Sequence, residues 1–288
     1  MKLYLVVLLL FVTPSRVAAA EPQRIISLAP SVTETLFALG VGDRVVGVSV
    51  YCDYPPEATK IDRVGNFLTP NVEAIVDKKP DLIIVVPSPG NQNPVETLRR
   101  LGFPVLLVDP NTIAQIEEAI VTIAKAVGRE TAGQALIATI EQRLAAIRAR
   151  LAGAPQRKVL MVVGQTPLIA VGAGIFQDEL IRMARGVNLG AQAGGSWPHI
   201  SLELVIAAGP EVIIDTTMGN EERAGSGAAL EFWKGFQTIP AVRLGRVHGY
   251  KQYQLLRPGP RIPEAFEAIA RFVQPERFED EAPGRRQP

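Results

Sequence analysis

Two stretches of this chain, 130 residues apart, read alike without a gap. Asn71–Ile84 is NVEAIVDKKPDLII, and Ser201–Ile214 is SLELVIAAGPEVII. They are identical at Glu73/Glu203, Pro80/Pro210, Ile83/Ile213 and Ile84/Ile214. Each is a short helical pattern stopped by Pro and followed by an aliphatic run that has no polar face. Such a run belongs in a parallel sheet covered by helices on both sides. Any helix–Pro–strand unit would supply the Pro and the aliphatics, but it would not require a Glu at the same helical position twice. A looser match pairs RIISLAP, from Arg24, with KVLMVVG, from Lys158. The repeat predicts an α/β fold of two similar lobes with mainly parallel sheets.

Between the repeats, Arg129–Leu151 reads as one long helix. Leu136, Ile137, Ile140, Leu144, Ile147 and Leu151 fall on one stripe at helical spacing. At 1.5 Å per residue this helix is roughly 30 Å long, about the width of a small domain. The expected organisation is a first lobe over 21–127, a connecting helix over 128–155, a second lobe over 156–274 and a frayed tail over 275–288. In the first lobe, S-V-T-E from Ser31 to Glu34 has the form of a capping box opening a helix that ends at Gly40. A rigid connecting helix implies a cleft between the lobes and only a small closing movement.

Residues 1–20 have a different character. Lys2 precedes an apolar run from Leu3 to Val12, and Ala18-Ala19-Ala20 has the small-residue form of a cleavage site. The run is too short to span a bilayer. It reads as a signal peptide, with a retained anchor as the alternative, and no Cys follows it to carry a lipid. Loss of Lys2 and Arg16 would leave 28 basic and 29 acidic residues. This balance lacks the basic footprint of a nucleic-acid binder. One Cys cannot form an internal disulfide, and two His cannot build a His-rich metal centre. There is no phosphate-binding glycine loop with its Lys and no G-x-S-x-G elbow, so a metal-dependent or other enzyme is disfavoured.

Aromatic residues gather in turn-rich loops, a composition suited to a large flat or apolar ligand. One loop is Tyr51-Cys52-Asp53-Tyr54-Pro55, with Phe67 beyond it. A second is Gly194-Gly195-Ser196-Trp197-Pro198-His199. A third holds Tyr250 and Tyr253, then Arg257-Pro258-Gly259-Pro260-Arg261. Glu73 and Glu203 each lie in the first turn of a helix. They either complement the helix dipole or form matching acidic docking points on the two lobes for a pseudo-two-fold basic partner.

With these motifs, the chain resembles the periplasmic substrate-binding proteins with a long backbone helix, which serve ABC importers of cobalamin, haem or iron–siderophores. The motifs are RIISLAPSVTETLFALG, VVGVSVYCDYPPEA, NVEAIVDKKPDLIIV, GSWPHISLELVIAAGPEVII and RPGPRI, covering Arg24 to about Val273. The arrangement is most similar to the cobalamin-binding branch. The resemblance implies a monomeric periplasmic protein without enzymatic activity or cofactor, whose transported ligand is cobalamin or a related corrinoid. It implies that Glu73 and Glu203 dock onto arginines of an ABC importer permease dimer at the inner membrane. It also implies that Tyr51, Phe67 and Trp197 line the ligand site, and the composition of the three loops adds Cys52, Asp53, Tyr54, His199, Tyr253 and Arg257 as candidate ligand contacts. Phe67 and Val86 stand where the cobalamin binders carry tryptophans, Tyr253 where they carry an acid, and Gln254 where they carry an aromatic. The alternatives are haem, with Tyr51, His199 or the soft thiolate of Cys52 as a candidate axial ligand, and an anionic ferric siderophore, met by Arg257 and Arg261.

Overall fold

Ile25, Ile26, Ile83, Ile84 and Val85 are wholly buried, as expected of strands covered on both faces. In the computed structural model, which describes residues 21–217, 226–250 and 253–279, they lie in a four-stranded parallel sheet. Its strands are β1 (Ile25–Ser27), β2 (Val45–Val48), β3 (Leu82–Val85) and β4 (Val105–Leu107), in the order β2-β1-β3-β4. One face packs Ile25 and Ile84 against helix α1 (Pro30–Ala38) and, further along the chain, α4 (Ile113–Ala126). The other face packs Ile26, Ile83 and Val85 against α2 (Val72–Asp77) and α3 (Gln92–Arg100).

The second lobe repeats the plan. Its strands are β5 (Arg157–Gln165), β6 (Leu168–Ala170), β7 (Gly186–Asn188), β8 (Val212–Asp215) and β9 (Val247–Gly249). β5 pairs in parallel with β8 on one edge. On its other edge it pairs in parallel with β7 and, further along, antiparallel with β6. Leu160, Val162 and Ile213 face α7 (Leu202–Ala208), α8 (Ser226–Trp233) and α9 (Pro240–Arg243). Val159, Met161 and Ile214 face α6 (Phe176–Met183) and α10 (Ile262–Val273).

The internal repeat extends well past fourteen residues. β1 pairs Ile25 with Leu82, and β5 pairs Val159 with Val212, so each lobe sets its first strand on the repeated one in the same register. The Asp81 carboxylate accepts from the Arg24 amide at 2.9 Å, and Glu211, at the equivalent position, accepts from the Lys158 amide at 2.8 Å. Arg24 donates to the Lys78 carbonyl, and Lys158 to that of Ala208, again 130 positions on. Asn71 and Ser201 cap the equivalent helices through their side chains. Lys79 and Gly209 then both adopt positive φ, the conformation in which helices commonly end.

The connection between the lobes is a pair of helices and not one. α5 spans Glu130–Arg150, and Ile140, Leu144 and Ile147 carry its stripe into the second lobe's core. α4, expected to belong to the first lobe alone, divides its faces. Ala119, Ile123 and Ala124 join the first core, and Ile116 and Ile120 join the second. Gly133 lets α5 approach α4, since a Cβ there would lie 2.5 Å from that of Ala124. The lobes also touch directly, because the Phe176 amide donates to the Asn111 carbonyl at 2.7 Å and the Ile113 amide to Glu179 at 2.8 Å.

Two expectations are corrected. Pro30 occupies the first turn of α1 and Ala29 is its N-cap, so Ser31 caps nothing and Glu34 turns into the interior. The tail does not begin at 275, because Pro275–Arg277 form a 3-10 turn and Phe278 is buried between the guanidiniums of Arg150 and Arg271. Gln274 anchors this turn by donating to the Pro155 carbonyl at 2.7 Å. The expected signal peptide, residues 1–20, and the tail from 280 onward lie outside the described residues.

Candidate functional site

Each aromatic loop leaves the C-terminal end of a strand or joins one there. After β2, Cys52 turns inward and is fully buried, and this places its neighbours Tyr51, Asp53 and Tyr54 on the surface. The Cys52 thiol accepts from the Thr33 hydroxyl at 3.1 Å and lies 3.3 Å from that of Ser49. Burial pushes its pKa up despite those hydrogen bonds. Cys52 is therefore an internal anchor of the loop, and its expected place among ligand-contacting or metal-ligating residues is not borne out. Arg63 fixes the same loop by donating to the carbonyls of Ser49 and Cys52 at 3.1 and 2.8 Å.

Tyr51 is 52% exposed and meets Phe67 edge to face, with ring centroids 5.8 Å apart. The loop bearing Phe67 is held by Asn91, a buried residue that sequence reasoning did not single out. Its side-chain amide donates to the carbonyls of Phe67 and Val86, both at 2.9 Å. Asn91 resembled a turn-forming residue in a polar loop, and nothing in the local pattern marked it as a strut between two loops.

In the second lobe, the chain from Gly195 to Ile200 extends the sheet beyond β6. Ala170 donates to Pro198, Gly172 to Ser196, and Ile169 pairs with His199. Gly172 permits this approach, because a Cβ there would lie 2.0 Å from the Gly195 carbonyl. Trp197, 47% exposed, and His199 project from this loop. Among the described residues, no ring contact joins Trp197 to Tyr51 or Phe67. Elsewhere in this lobe, buried Asp215 ends β8 and accepts from Gln165 and from the Trp233 indole, each at 2.8 Å. Trp233, the second Trp, is thereby a core residue.

The third loop meets the first. Arg257 is buried and donates to Asp53 at 2.5 Å, to Glu34 at 3.1 Å and to the Tyr51 carbonyl at 3.0 Å. Arg261 makes a two-pronged contact with Glu34 at 2.8 and 2.6 Å. Tyr54 lies under Arg261 and Tyr253 under Arg257, at 3.8 and 5.3 Å. Burial alone would raise the Asp53 pKa, but the hydrogen bond and charge of Arg257 outweigh it and hold the carboxyl below its usual range. Arg257, expected to face the ligand, is thus engaged by two carboxylates and a carbonyl, and offers no free cation for an anionic siderophore.

Glu73 and Glu203 are exposed in the first turns of α2 and α7. A helix that returns the chain to the start of a parallel strand runs against that strand. Its N-terminus therefore lies at the sheet edge that carries the loops. Both glutamates stand on that edge, one per lobe. Glu203 is held in its charged form by its own backbone amide and the Ser201 hydroxyl. No cluster of three His, Cys, Asp or Glu suited to a metal occurs among the described residues, and none of their helices is long and apolar enough to cross a membrane.

The periplasmic binding protein family model matches residues 25–253 of this chain. The vitamin B12-binding protein of Vibrio cholerae serotype O1 is 33% identical to it, over 92% of this chain and 94% of that protein. The solved structure of a periplasmic vitamin B12 binding protein of Vibrio cholerae superposes with a TM-score of 0.77 at 31% identity, covering 88% of this chain and 97% of the other. A periplasmic heme-binding protein from Roseiflexus sp. RS-1 superposes with a TM-score of 0.79 at 29% identity, covering 88% and 99% of the two chains.

Proposed function

Since this chain belongs to the periplasmic binding protein family, we propose that it captures a corrinoid between its two lobes and delivers it to an ABC importer. The observation that carries this reading is the set of exposed aromatic rings, Tyr51, Tyr54, Trp197 and Tyr253 with half-buried Phe67, on loops fixed at the same edge of both sheets. Their faces suit the broad apolar flank of a corrin ring. The vitamin B12-binding names of the relatives support the same ligand. Complete cobalamin brings its own axial base, so no protein ligand to cobalt is required.

In this reading the protein catalyses no reaction, acts as a monomer, and loses residues 1–20 on export to the periplasm. Glu73 and Glu203 dock onto basic residues of a permease dimer, one glutamate per subunit. The helix pair α4–α5 and the direct contacts between the lobes favour a small closing movement. Titration calorimetry with cyanocobalamin tests the ligand, with one-to-one binding expected and a corrinoid absorption spectrum retained after gel filtration. Absence of heat and of thermal stabilisation with both cyanocobalamin and cobinamide would refute it.

Haem is the second reading, supported by the likeness to the Roseiflexus heme-binding protein and by the exposed phenol of Tyr51. A Soret band on adding haemin that is lost in Tyr51→Phe would favour haem over the corrinoid.

A further inference from the structure

The strongest unexplained feature is a buried charge on the boundary between the lobes. The Glu34 side chain is 1% exposed, yet it belongs to α1 of the first lobe and meets only cations of the second. A lone carboxylate so buried would be heavily penalised, and two guanidiniums offset that penalty. The sequence around those cations is built for the task. Arg257 and Arg261 are separated by Pro258-Gly259-Pro260, and both side chains converge on one carboxylate. Gly259 rests directly on α1, where a Cβ would lie 3.2 Å from that of Ser31.

The network does not stop at the boundary. Arg257 also grips Asp53 and the Tyr51 carbonyl, which flank the inward-turned Cys52. Arg261, oriented by both oxygens of Glu34, supplies the cationic face on which Tyr54 lies. Each exposed tyrosine of the first loop is therefore tied to the second lobe through an arginine that Glu34 orients. Two acids and two arginines balance, so the group carries no net charge toward a ligand.

We propose that Glu34 is a positioning residue for the ligand cleft: through Arg257 and Arg261 it fixes the Tyr51–Pro55 loop of the first lobe against the second lobe. Glu34 does not contact the ligand. It sets where the Tyr51 and Tyr54 rings stand, and so which flat ligand the cleft accepts. The affinity arm of the test rests on the corrinoid reading; the loop arm needs no ligand.

The test compares the parent protein with Glu34→Gln, which keeps the shape and removes the charge, and with Arg261→Lys, which keeps the charge and removes the fork. Amide hydrogen exchange of residues 51–55 (omitting Pro55, which has no amide) is measured without ligand, and affinity for cyanocobalamin by calorimetry. Glu34→Gln is expected to speed exchange in this loop at least tenfold and to weaken affinity at least tenfold, and Arg261→Lys to do both to a smaller extent. Ile269→Val, a trim of the second core far along α10, is the control for general destabilisation and should leave loop exchange unchanged. Loop exchange within twofold of the parent in a folded Glu34→Gln protein overturns the proposal; if that variant does not fold, the same result in Arg261→Lys overturns it. A loop loosened as expected while neither parent nor variant binds a corrinoid supports the positioning role and rejects the ligand reading.

Discussion

Asp215→Ala would remove the acceptor that ties the end of β8 to Gln165 of β5 and to Trp233 of α8. The carboxylate is almost wholly buried and accepts from the Gln165 amide and the Trp233 indole at 2.8 Å, and from the Thr217 amide at 3.0 Å. Trp233 is itself fully buried, so its N–H has no water to turn to. An unsatisfied buried donor costs about 1–3 kcal/mol, and hydrogen bonds to a charged group are worth about 1.5–3 kcal/mol each. These contributions overlap, because four donors, the Thr217 hydroxyl among them, share one carboxylate. The expected loss is therefore about 3–5 kcal/mol, or roughly 6–20 °C in Tm for a chain of this size. Asp215→Asn keeps one acceptor oxygen and should lose about half as much. The assay is urea unfolding followed by tryptophan emission. The emission should also shift to the red in the folded variant as water reaches Trp233. A loss below about 1 kcal/mol with unchanged emission would refute the view that Asp215 is the hub of this region.

The remaining expectations concern docking and pH. Glu73→Ala combined with Glu203→Ala should abolish uptake by cells while leaving ligand affinity within about twofold, since truncating one partner of an interfacial charge pair costs about 2–5 kcal/mol; lost affinity in the purified double variant would refute the docking role. His248 stacks on Phe272 at 4.5 Å, and burial, with Arg246 adding to it, lowers its pKa. The unfolded chain therefore binds a proton more readily than the folded one, so His248 should cost stability as pH falls below about 6.5. Denaturant midpoints measured from pH 7.5 to 5 should fall less steeply in His248→Phe than in the parent, and parallel slopes would refute this assignment.

The layered architecture was legible in the sequence because its signals are local. An aliphatic run without a polar face makes a covered parallel strand, and an Asn or Ser before a short apolar pattern makes a capped helix. The repeat showed that both happen twice, and the register of β1 on β3 and β5 on β8 carries this into three dimensions. The aromatic loops were legible by composition, since large rings among turn residues have no strand or helix face to pack on.

Other roles were decided only by folding. Local pattern made Ser31–Glu34 a capping box, but Pro30 moved the helix start and turned Glu34 toward arginines more than 220 positions away. The same closure drew Cys52 inward, away from any ligand, and engaged Arg257 with carboxylates of the other lobe. It also divided α4 between two cores. Sequence by itself determined which segments become strands and helices and which faces they bury, because backbone preference and apolar periodicity act over a few residues. Tertiary structure decided which buried charges meet, because a carboxylate takes as its partner whichever cation the packed lobes bring within hydrogen-bond reach.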